Sequence, residues 1–103
     1  MQNVLENIPY QAEGMGRRKL VDKDQILIMQ AALKPGQSVP PHDANADVHI
    51  LVLTGEVVIN LNGTDTIAKA GNLLPVAIHT PMNITNNGPK NATFLIIKAP
   101  DPY

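Results

Sequence analysis

Turn formers punctuate this chain so often that a long helix has no room. Nine prolines and seven glycines are spread over 103 residues. Each fixes φ or permits a reversal that other residues resist. The clearest unit spans residues 57–68, where VVINL runs into Asn62-Gly63 and TDTIA runs back. Asn-Gly suits a two-residue hairpin loop, which needs positive φ at both positions. Further runs of strand formers lie at residues 25–33 (QILIMQAAL), 48–53 (VHILVL) and 93–98 (TFLIIK), with shorter ones at 17–21, 73–76 and 80–85. A spacing of roughly 8–12 residues between turns predicts an all-β sandwich or barrel. Residues 1–13 read as an extended arm that packs on a partner subunit. Residues 39–41 (VPP) read as a proline-stiffened arm and 43–47 as a polar loop. Residues 99–103 read as a tail.

Composition narrows the function. Apolar residues make up 44% and aromatics only 3%, namely Tyr10, Phe94 and Tyr103, so the core must be aliphatic. With no cysteine, disulfides, zinc ribbons, iron–sulfur clusters and thiol nucleophiles are excluded. Net charge is −1. The basic tripeptide Arg17-Arg18-Lys19 reads as a solvated strand edge, and the stacking aromatics of a nucleic-acid groove are missing. Neither a signal-peptide pattern nor an apolar run of about 20 residues is present, so the expectation is a soluble, cytoplasmic protein with no membrane or nucleic-acid partner. Ser38 has no nucleophile elbow around it. The acids Glu6, Glu13, Asp22, Asp24, Glu56, Asp65 and Asp101 are scattered without forming an acid–base pair.

The stretch from 36 to 55, GQSVPPHDANADVHILVLTG, carries a resemblance. Gly36, QSVPP and His42 fit the opening of the first motif of the cupin superfamily, and Gly55 with Glu56 fits its close. Gly71-Asn72-Leu73-Leu74 followed by Pro81, Met82 and Asn86 resembles the second motif. The chain is thus similar to small cupins of the conserved-barrel type. The resemblance implies an all-β, jelly-roll-like double-stranded β-helix barrel and a homodimer. Residues 1–24 would supply an arm and first strand, and residues 25–103 the barrel of a single domain.

The family's metal ligands are mostly absent at the matching positions. Ala44 falls where a second His would stand, Val48 where a Glu would stand, and Met82 where the second motif's His would stand. Ala and Val offer no lone pair, and a thioether is a poor ligand for Fe(II), Mn(II), Ni(II) or Zn(II). The expectation is a degenerate metal site with no cofactor. In its place stands a pocket for a small apolar or weakly polar molecule, lined by His42, Val48, Ile50, Val52, Met82 and Ile84. The alternative is a metal-dependent enzyme, of dioxygenase or isomerase type, with a displaced ligand set: His42, His49 or His79 with Asp43 or Asp47. A soft Cu(I) site from Met82, His42 and His79 is chemically coherent as well. A third reading is a dimeric scaffold without a small ligand. If Val48, Ile50 and Val52 point into the barrel, alternation turns His49, Leu51 and Leu53 outward. That outward row is too apolar for open solvent, so the other sheet, the arm or a second subunit covers it.

Overall fold

The computed structural model describes residues 1–99; the part of the expected tail at 100–103 lies outside the described residues. Nine strands follow in order: β1 Gly16–Lys23, β2 Ile26–Leu33, β3 Ser38–Asp43, β4 Val48–Thr54, β5 Glu56–Leu61, β6 Thr64–Lys69, β7 Leu73–Val76, β8 Pro81–Thr85 and β9 Ala92–Lys98. No helix forms among the described residues, so none could cross a membrane. One sheet has five strands in the order β1-β2-β9-β4-β7 and the other four in the order β3-β8-β5-β6. All pairings are antiparallel.

The expected turns set these pairings. Asn62 and Gly63 take φ of 52° and 89°, both positive as the β5–β6 hairpin requires. Gly55 links β4 to β5 at φ 77°, and a Cβ there would sit 2.5 Å from the Asn91 carbonyl oxygen. Only glycine fits that close approach. The segment around Pro40-Pro41 is an edge strand rather than a free arm: β3 pairs with β8, and its register shifts between Val39 and His42. Proline cannot donate to a ladder, so it is tolerated at an edge and beside an irregularity.

The core lies between the sheets. Phe94, Leu33, Ile50, Ile59, Ile84, Val52 and Val57 are fully buried in it. Period-two alternation explains why: Ala92 and Phe94 on β9, Ala31 and Leu33 on β2, and Val48, Ile50 and Val52 on β4 all turn the same way. On the opposite face of the five-stranded sheet, the arm packs against its own barrel. Arg18 Nη1 donates to the Asn7 carbonyl at 2.9 Å, and Arg18 Nε donates to Gln30 Oε1 at 2.8 Å. Gln30 Nε2 donates to the Val4 carbonyl at 2.8 Å and to Thr93 Oγ1 at 2.9 Å. Gln30 and Thr93 are thereby buried with their polar atoms satisfied. A Cβ on Gly16 would overlap the Pro9 carbonyl oxygen, so the arm lies tightly on the start of β1.

These contacts correct the reading of the basic tripeptide at Arg18, while Arg17 and Lys19 are exposed on the edge strand as expected. Arg18 is half-buried and holds the arm, and Lys19 pairs with Asp22 at 3.2 Å on the exposed edge. Arg17 turns to the inner side, opposite Ala31.

Candidate functional site

At one end of the barrel the two sheets stand apart and leave a cavity of about 390 Å³. Its apolar wall comes from Met15, Met29, Val39, Pro40, Pro41, Ala44, Val48, Met82, Ile84 and Ile96, and its polar groups are Arg17, His42, Asn45 and Lys98. The strands that build the core also build this wall. Along β9 the inward side chains change from Ala92 and Phe94, which are sealed, to Ile96 and Lys98, which face the cavity. Along β2 they change from Leu33 and Ala31 to Met29.

His42 and Met82 are cross-strand partners in the β3–β8 pair. His42 Nδ1 lies 3.0 Å from the Pro40 carbonyl oxygen. A carbonyl can only accept, so Nδ1 is the donor in this contact and Nε2 is left free of it. Ala44 follows β3 and is tied to the turn before β8: its N–H donates to the Thr80 carbonyl at 3.0 Å, and the His79 N–H donates to the Ala44 carbonyl at 2.7 Å. Ala44 is only 4% exposed.

The expected ligand-pocket residues therefore divide. His42, Val48, Met82 and Ile84 line the cavity together. Ile50 and Val52 share the inward face of β4 but lie farther along it, sealed in the core at 0% and 1% exposure. The cavity also contains residues that the motifs do not mark, chiefly Met15, Arg17, Met29, Asn45, Ile96 and Lys98. Alternation offers a signal for some of them. Met29 falls in step with Ala31, and Ile96 and Lys98 with Phe94.

The displaced ligand set does not assemble. His49 is exposed on the outer face of its sheet, opposite Ile97 and Pro75. His79 is exposed at φ 70° in the turn before β8 and does not line the cavity. Asp47 Oδ1 accepts the Ile78 N–H at 2.7 Å, which ties the segment between β3 and β4 to the turn before β8. Among the described residues, no group of three or more His, Cys, Asp or Glu is placed to share an ion. One imidazole beside thioethers and alkyl groups does not fit a divalent cation of the Fe(II) or Zn(II) kind.

Elsewhere the notable polar group is Asn86, which is fully buried at the opposite end of the barrel. Its Nδ2 donates to the Leu33 and Lys90 carbonyls, both at 2.9 Å, and its Oδ1 accepts the Gly88 N–H at 3.0 Å. Its backbone bonds to Gly36 and Gln37. Every polar atom of that side chain is used in closing the barrel.

Comparison with known proteins agrees with this architecture. The chain is 31% identical over 85 residues to an uncharacterised protein of Methanocaldococcus jannaschii, covering 82% of this chain and 73% of the other. A crystal structure from that organism, described as an RmlC-like cupin family protein with a double-stranded β-helix fold, is similar with a TM-score of 0.79 and 29% identity, over 88% of this chain and 84% of that one. The fold is also shared with a protein from Thermus thermophilus, at TM-score 0.90 and 23% identity over 99% of this chain and 98% of that one. The family model for the cupin domain matches residues 29–98. On these grounds, the chain belongs to the cupin family as a small barrel with the double-stranded β-helix fold.

Proposed function

We propose that this barrel binds a small, largely apolar molecule in the cavity without a metal ion. One observation carries the reading: Ala44, Val48 and Met82, which stand where the cupin motifs place metal ligands, all line one cavity of about 390 Å³. That volume is at the lower end of the range for small-molecule sites, roughly 300–1,000 Å³. Three of the four methionines of the chain, Met15, Met29 and Met82, line it. Unbranched thioether side chains adapt to differing apolar shapes. His42 Nε2 supplies a polar contact at the rim. The reading favours a binding module over an enzyme, because the described residues that line the pocket include no nucleophile and no acid–base pair.

The test combines elemental analysis with fragment binding. Protein purified without a metal-affinity tag should contain no stoichiometric transition metal. Small apolar fragments should bind it and should not bind Ala44→Phe, which fills the cavity. Stoichiometric metal, or fragment binding that survives the filling substitution, would count against the reading.

The barrel also pairs with a second copy of itself. Supporting this is the outer face of the five-stranded sheet, where the arm meets the Gln30–Thr93 region. Beside it, Leu51 pairs with Leu95 and Leu73, and Ile97 with Ile28 and His49. Leu73 is 58% exposed. The central strands offer no charged side chain on these rows, and such a face can meet its own copy across a two-fold axis. Light scattering should give a dimer mass that Leu51→Lys reduces to a monomer; a monomer in the parent protein would overturn the pairing.

A further inference from the structure

The apolar wall of the cavity accounts for the body of a ligand but not for its head. Two cations line the same cavity, Arg17 from β1 and Lys98 from the end of β9, and among the described residues no Asp or Glu lines it with them. Among the described residues the side-chain ion pair that forms is Lys19–Asp22, on the exposed edge. Lys98 Nζ instead donates to Asn45 Oδ1 at 3.0 Å, a neutral partner that holds the ammonium without cancelling its charge. Lys98 is half-buried and follows Ile96 on the inward face. The chain as a whole has eight basic and nine acidic residues, so a general excess of cations does not explain the pair at this rim.

From these contacts we infer that the ligand is an amphipathic carboxylate: an apolar body seated among Met29, Met82 and Ile96, with its anionic head at the rim between Arg17 and Lys98. This rests on the binding reading above and names its ligand class. Guanidinium and ammonium groups beside a low-dielectric wall attract an anion more strongly than they would in open water. A guanidinium can also grip both carboxylate oxygens at once. The side-chain amide of Asn45, whose Oδ1 accepts from Lys98, can turn its Nδ2 donor to the head. The same two cations disfavour the soft Cu(I) alternative, since a positive ion would enter against both charges.

The test uses three probes that share one six-carbon body: hexanoate, 1-hexanol and hexylammonium, titrated by calorimetry at pH 7 in low salt. Hexanoate should bind at least about tenfold tighter than 1-hexanol, and hexylammonium weakest. Arg17→Gln and Lys98→Gln should each weaken hexanoate several-fold and leave 1-hexanol within about twofold. Raising the salt concentration should weaken hexanoate alone, as screening requires. Equal binding of hexanoate and 1-hexanol, or hexanoate binding unchanged in both variants, overturns the carboxylate inference and leaves the apolar pocket standing. If none of the probes binds the parent protein, both readings fall together. Arg17 and Lys98 are not core residues, and a thermal melt matching the parent confirms that either variant is folded before titration.

Discussion

The two ends of this barrel are built from the same strands, yet they differ in kind. At the closed end Phe94, Leu33 and Val57 are fully buried, and Asn86 satisfies the carbonyls of the turns around it. At the open end, farther along the inward faces of β9 and β2, Ile96 and Met29 face a cavity, and Arg17 and Lys98 stand at its edge. Alternation decides which side chains point inward. Their size and polarity decide whether the inward space becomes core or pocket. Full burial is therefore concentrated at one end, and the proposed recognition lies at the other.

The sharpest way to break this contrast is to truncate neighbouring inward residues of β9. Phe94→Ala should cost about 3–5 kcal/mol, the usual range for deleting a buried aromatic. Ile96→Ala should cost less, about 1–2 kcal/mol, because part of its side chain already faces empty space. Urea melts of both variants measure this; equal losses would deny that the two ends differ. A polar version comes next. Asn86→Ala should cost about 1–3 kcal/mol by orphaning buried carbonyls, whereas His42→Ala at the open end should stay within about 0.5 kcal/mol. The same melts decide it, and a large loss at His42 would make it a structural residue.

Smaller still is a substitution that reshapes the open end. Met29→Leu conserves volume and should change stability by less than about 1.5 kcal/mol. It should shift fragment affinity without removing it, as fluorescence or calorimetric titration would show. The smallest effect concerns the arm. Burial pushes the Tyr10 phenol up from its ordinary value, and a hydrogen bond with the Thr54 side chain pulls the other way. A group whose folded pKa is raised contributes stability that is fully present below its unfolded pKa, near 10 for tyrosine, and lost as pH rises through the folded value. Stability should thus decline above pH 10 in the parent and less so in Tyr10→Phe. Identical alkaline profiles would remove Tyr10 from the account.

Most of the fold is legible in the sequence because its signals are local. Asn62-Gly63 names its own hairpin, and residues 73–76 form the strand expected of them. The all-β class follows from spacing, and alternation sets Val48, Ile50 and Val52 on one face, which the structure shows to be the buried one. What is not legible depends on distant pairing. Arg17 cannot be assigned to the cavity until β1 is known to lie beside β2, in register with Ala31. Arg18 looks solvated until the arm folds back over Gln30, a contact between residues far apart in the chain. Pro40-Pro41 suggests a free arm because proline weakens a ladder, but an edge strand needs only part of its ladder. The limits of the site are of the same kind. Motif position is enough to find His42 and Met82, while Lys98 requires knowing how deep the core extends along β9.

The central claim is that the open end of the barrel is a metal-free binding pocket. The methionines provide a direct probe of it, because Met15, Met29 and Met82 line the cavity while Met1 is fully exposed and outside it. With methyl-labelled methionine, NMR titration with hexanoate should move those three resonances together and saturably, leave Met1 in place, and proceed in the presence of a chelator. If the three cavity methyls stay still, or move only when Fe(II), Ni(II) or Zn(II) is added at one equivalent, the claim is contradicted.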